Sequence, residues 1–151
     1  MILEFSDWIF NVDTQATQEY YFEELPNRCE CTFCRNYFAT VDMLYPGLRS
    51  FLKKFQIDLG VPEILLPFKS TLYQASYYGI GQILRFGTTP IQLDEITVVA
   101  EEGEEQNTFL LHIGLMDLPW VLEEDPSGEE TPSAMRDFFT TLCGNSVDTL
   151  S

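Results

Sequence analysis

The sequence is short of positive charge and of histidine. Its 151 residues carry 8 Lys and Arg against 24 Asp and Glu, a net charge of −16, and a single histidine, His112. An excess of that size repels nucleic acid and anionic lipid, so neither is expected as a direct partner. One imidazole confines histidine-dependent catalysis to His112. No apolar run approaches the roughly 18 residues that a membrane-spanning helix needs. The opening stretch has acids at Glu4 and Asp7, and the first base is Arg28. A secretory leader begins with positive charge ahead of an apolar stretch, so none is expected and the cytoplasm is the expected compartment. Also missing are a phosphate-binding loop ending in Gly-Lys-Ser/Thr, an H-E-x-x-H pair and a G-x-S-x-G elbow. Tyr78-Gly79-Ile80-Gly81 holds only part of a dinucleotide fingerprint, because Leu84 stands where the third glycine belongs. The acid clusters lack the alternating oxygen spacing of a calcium loop. No catalytic motif is left, and a carboxylate pair for acid–base work cannot be picked from the sequence without geometry.

What is present supports one domain over residues 1–151, since 45% of the residues are hydrophobic and the length allows a sizeable core. Charge is unevenly placed. Residues 1–85 hold seven Lys and Arg against ten acids, whereas residues 86–135 hold twelve acids and no Lys or Arg. That stretch cannot neutralise itself. Its carboxylates must face water, counterions, a metal or a cationic partner. Glu101, Glu102, Glu104, Glu105, Glu123, Glu124 and Asp125 are therefore the candidate contacts for a basic protein.

Element signals run from helix to strand. Residues 1–12 read as a short extended segment in which Trp8, Phe10 and Val12 alternate. Asp13 or Thr14 can cap a helix over 15–25 that stops before Pro26. Phe33, Tyr37, Val41 and Leu44 mark one face of a helix over 32–44. Pro46 suits the first turn of a third helix, in which Leu48, Phe51, Leu52 and Phe55 share a face, and Gly60 and Pro62 are expected to end it. Strands are expected over 63–68, 72–86, 96–100 and 108–115. Gly79 and Gly81 imply a bend in the second of these, and Tyr73 and Tyr77 lie on one of its faces. Ser133 or Thr131 can open a last helix through Met135, Phe138, Phe139 and Leu142, closed by Gly144. This order predicts an α+β fold: N-terminal helices packed on an antiparallel sheet of about four strands, with a C-terminal helix.

The most specific local feature is C-x-C-x-x-C at Cys29, Cys31 and Cys34; Cys143 is the fourth cysteine. Closely spaced thiolates chelate a soft tetrahedral cation such as zinc, with Cys143 or His112 as the fourth ligand. The lack of a second closely spaced ligand pair counts against this, since closed structural sites usually have two. A helix start beside Arg28 and Arg35 would also lower a thiol pKa for redox work, but the strand–CxxC–helix context is absent. The plainest alternative is three small apolar side chains packed at a turn.

The stretch CECTFCRNYFATVDMLYPGLRSFLKKFQIDLGVPEI resembles an uncharacterised bacterial domain family. In that family a cysteine-rich turn enters a helix through Cys-Arg-Asn-Tyr, here Cys34 to Tyr37. A later helix is followed by Asp-x-x-x-Pro-Glu, here Asp58, Pro62 and Glu63. Tyr77 to Leu84 and Leu118 to Leu122 fit the same resemblance, which spans residues 13–125. It implies a single bacterial cytoplasmic domain and supplies no catalytic residue. The expected function is a non-enzymatic acidic binding protein that docks a basic partner, as immunity or inhibitor proteins do. The alternative is a small zinc-binding domain built on Cys29, Cys31 and Cys34. A third, an enzyme assembled from scattered carboxylates and His112, has no motif behind it.

Overall fold

A computed structural model describes residues 1–69, 72–93 and 95–123. The chain forms strands β1 (Ile2–Phe5) and β2 (Trp8–Val12), then helices α1 (Thr14–Glu24), α2 (Thr32–Leu44) and α3 (Pro46–Lys54). Strands β3 (Ile64–Lys69), β4 (Leu72–Arg85), β5 (Ile91–Leu93), β6 (Ile96–Glu102) and β7 (Thr108–Asp117) follow. The expected sheet of about four strands is thus corrected to seven, all paired antiparallel in the order β1-β2-β4-β7-β6-β5, with β3 also on β4. Two signals hid the difference. The β1–β2 hairpin turns at Ser6, whose φ of 57° is left-handed without a glycine to announce it. Strand β5 is three residues long, below the length at which alternation can be read. The expected C-terminal helix lies outside the described residues.

The helix–sheet interface follows from strand alternation. Tyr73, Ala75 and Tyr77 of β4, Phe109, Leu111 and Ile113 of β7, and Ile96, Val98 and Ala100 of β6 all point inward and are buried. Tyr37 of α2 meets Tyr73, with ring centroids 6.1 Å apart, while Phe55, just past α3, meets Phe10 at 5.2 Å and Phe109 at 5.9 Å. Strict alternation would put Leu115 on the face of Phe109, Leu111 and Ile113, yet it is exposed. Ala75 pairs with Ile113 but Tyr73 with Met116, so two residues of β7 oppose Gln74. This bulge reverses the phase, and Met116 takes the buried place.

Strand β4 organises the sheet. On one edge it pairs with β7 from Leu72 to Ile80. On the other, β3 covers Leu72–Ser76 and β2 covers Gly81–Arg85. Between them lies a short uncovered edge, which would leave costly unpaired backbone groups. Helix α1 fills it with hydroxyls. The Tyr78 N–H donates to Tyr21 Oη at 3.0 Å, and Tyr21 donates in turn to the Tyr78 carbonyl at 2.5 Å. The Ile80 N–H donates to Thr17 Oγ1 at 3.1 Å. Asp13 caps α1 by accepting from the Ala16 N–H at 3.0 Å, as its position implied, while its own N–H donates to the Ile80 carbonyl at 2.8 Å. One helix start thereby caps itself and seals a strand edge.

Candidate metal centre

The connector after α1 delivers Cys29 and Cys31 to the start of α2, where Cys31 is the N-cap and Cys34 lies in the first turn. The three Sγ atoms all lie within 4.8 Å of one another. Cys34 is buried, while Cys29 and Cys31 are half-buried. The Cys31 N–H donates to Cys29 Sγ at 3.5 Å, which holds the turn closed. Around zinc, with Zn–S near 2.3 Å, tetrahedral sulfurs sit roughly 3.8 Å apart. The observed cluster reaches that spacing with side-chain shifts of about 1 Å. The donor set of three soft thiols fits zinc and other thiophilic cations.

The surroundings hold α2 firmly. Arg28 places its guanidinium carbon 4.9 Å from the Phe38 ring centroid, and Arg35 Nε donates to the Glu30 carbonyl at 3.0 Å. These two bases bracket the three cysteines in sequence. Asn36 is fully buried two residues past Cys34. Its Nδ2 donates to Tyr73 Oη at 3.2 Å and to the Pro119 carbonyl at 3.0 Å, and its Oδ1 accepts from the Val121 N–H at 2.8 Å. Burial raises the pKa of Tyr73 above the usual range, with the adjacent Cys34 and Cys31 thiols as lesser causes. Asn36 and residues 118–121 were not expected at the site. The resemblance to a family had marked both segments, but nothing in their spacing says that they touch.

The other candidate residues fall elsewhere. His112 sits on the opposite face of the sheet from the buried β7 residues and does not join the cysteines. Its Nδ1 lies 2.7 Å from Ser76 Oγ and its Nε2 lies 2.8 Å from Glu101 Oε1. Because a carboxylate only accepts, Nε2–H donates to Glu101 and Nδ1 accepts from the Ser76 hydroxyl when the ring is neutral. The order resembles a nucleophile, base and acid row. However, β4 is paired on both edges at Ser76, through Ile64 and His112, so the flanking backbone belongs to ladders. This reads as a cross-strand polar clamp joining β4, β7 and β6.

Glu101 and Glu102 end β6, and Glu104 and Glu105 occupy the turn before β7; all four are exposed. Glu123 follows the 118–121 segment, past the far end of β7, a strand of ten residues that spans roughly 30 Å. The described candidate contacts therefore form two groups, the turn cluster and Glu123. Glu124, Asp125 and Cys143 lie outside the described residues. Tyr73 and Tyr77, which on an exposed face would have made a binding platform, are buried against the helices. Among the described residues no helix is long and apolar enough to cross a membrane.

Comparison with known proteins returned no match to a family model, to a curated protein or to a solved structure.

Proposed function

We propose that the chain is a metal-binding domain in which the thiolates of Cys29, Cys31 and Cys34 hold a zinc ion at the start of α2. The observation that carries this reading is the convergence of three sulfurs within 4.8 Å. Three residues within six positions of sequence can bring that about only if the turn folds back on the helix, and here it does. On binding, each thiol gives its proton to solvent, so uptake is favoured by rising pH. The set supplies three of the four ligands a closed zinc site needs, and the fourth position falls to Cys143 or to water. Protein purified without chelator is expected to carry one zinc per chain by elemental analysis. Cys34→Ser should fall well below stoichiometric zinc. Cys143→Ser should keep the metal if water is the fourth ligand and lose affinity if the thiolate is. Cobalt substitution separates the two, because the intensity of thiolate-to-cobalt absorption counts the sulfurs. Wild-type protein that takes up no zinc or cobalt would remove the reading.

A second reading is favoured by a different observation. Glu101, Glu102, Glu104 and Glu105 are exposed together at the β6–β7 turn, within a stretch that has no Lys or Arg to offset them. This turn is suited to dock a basic protein surface, with electrostatics raising the association rate more than the final affinity. A partner captured by tagged protein at low salt should then be lost at high salt. It should also be lost on reversing Glu102, Glu104 and Glu105 to Lys, and retained by Cys34→Ser. Capture that ignores both salt and charge reversal would rule the turn out.

A further inference from the structure

We infer that occupancy of the cysteine cluster controls the docking of the 118–121 segment, and so fixes where the chain after β7 leaves the domain. The inference rests on the metal reading above and concerns its consequence. Residues 33–36 face two ways at once. Cys34 contributes its sulfur to the cluster. The neighbouring Phe33 stacks edge-on against Trp120 at 5.6 Å. Two residues on, the Asn36 side chain grips the segment on both sides of Trp120, through the Pro119 carbonyl at 3.0 Å and the Val121 N–H at 2.8 Å. The grip is the pattern of a strand pair, donor beside acceptor, made by one buried amide. Leu118 completes it as a fully buried anchor.

The first turn of α2 has no acidic side chain. A helix start is the positive end of its dipole and is steadied by negative charge there. Metal-bound thiolates at Cys31 and Cys34 supply that charge and tie the turn to Cys29. With the metal removed, the first turn loses its tether and opens more often, and Phe33 and Asn36 move with it. The segment they hold is then released more often, because the Pro119 carbonyl and the Val121 N–H are both bonded to the Asn36 side chain. Local openings of this kind are read directly by amide exchange.

The experiment is hydrogen exchange by mass spectrometry on the full chain, stripped of metal and then with one equivalent of zinc, with bound zinc measured on the same samples. Zinc is expected to slow exchange about tenfold in peptides covering both 32–40 and 118–123, with strands β1 and β5 unchanged. Trp120→Ala removes a half-buried ring that lies outside the fully buried core, so it should fold. In that variant zinc should still bind and still slow residues 32–40, while its effect on 118–123 should shrink. Zinc bound at stoichiometry with no change in 118–123 would overturn the coupling and leave the metal site standing. Absence of bound zinc would instead overturn the metal reading itself.

Discussion

Between pH 10 and pH 11 the protein is expected to lose most of its stability. Four tyrosines, Tyr21, Tyr37, Tyr73 and Tyr77, are almost wholly buried, and burial is the first cause that raises the pKa of each above the ordinary value. Tyr37 and Tyr77 share a hydrogen bond of 2.6 Å, and Tyr77 donates to the Leu59 carbonyl at 2.7 Å. A phenol has one proton, so Tyr77 spends its own on Leu59 and accepts from Tyr37. Ionising either one would bury a charge beside the other phenol. The unfolded chain has no such restraint and releases these protons near pH 10. A group whose folded pKa is raised contributes stability that is complete below the unfolded pKa and is lost as pH climbs toward the folded value. At pH 11 the loss is about 1.4 kcal/mol for each tyrosine, or about 5–6 kcal/mol for four. Domains of ordinary stability have about 5–15 kcal/mol in all. Circular dichroism and tyrosinate absorbance should therefore change together in one cooperative step near pH 11. Tyr73→Phe should flatten the pH dependence of stability by about 1.4 kcal/mol per pH unit. Full ionisation of all seven tyrosines with the circular dichroism unchanged would contradict the burial.

The same tyrosines show which parts of this fold can be read from sequence. Apolar periodicity marks the buried faces of α2 and α3 correctly at Phe33, Tyr37, Val41, Leu48, Phe51 and Leu52. It fails at Leu44, which is exposed at the helix end, while the next residue, Tyr45, turns into the core. The stop of α3 was expected to use Gly60 and Pro62, yet the helix ends at Lys54. Gln56 takes the left-handed position at φ 64°, and the Ile57 N–H reaches back to the Leu52 carbonyl at 3.0 Å. That is a Schellman closure with glutamine in the glycine place, and composition gives no warning of it. At the site, the grouping of Cys29, Cys31 and Cys34 was legible because a short spacing limits how far apart the sulfurs can go. Whether His112 could join them was not, because that depends on which face of β7 it occupies and which edge of the sheet α2 covers. The separation of Glu123 from Glu101–Glu105 was hidden for the same reason. Neighbours in sequence lie at opposite ends of one strand.

Gly81→Ala is expected to cost about 4 kcal/mol or more, the range reserved for disrupted cores and forced backbone. Gly81 sits where β2 takes over the edge of β4, paired with Val12. Its φ is +145°, a conformation that L-residues rarely adopt. A Cβ there would run into the Asn11 carbonyl oxygen and the Val12 Cα, both backbone atoms of the neighbouring strand. Neither can move without opening the β2–β4 ladder, and β2 carries the buried Trp8, Phe10 and Val12. The loss should reach the N-terminal edge of the sheet, since the Gly81 N–H also donates to the Asn107 carbonyl at 2.7 Å and ties in the β6–β7 turn. Gly79→Ala is the informative comparison. Its Cβ would meet the ring of Phe109, a side chain, and its φ is unremarkable. That ring is packed against Phe10 and Phe55, so overpacking there should cost about 1–3 kcal/mol. Urea denaturation of the two variants should therefore separate them clearly, with Gly81→Ala the less stable. Equal midpoints would mean that β2 does not approach β4 as closely as the pairing requires. In that case the joint between the two halves of the β4 edge would have to lie elsewhere.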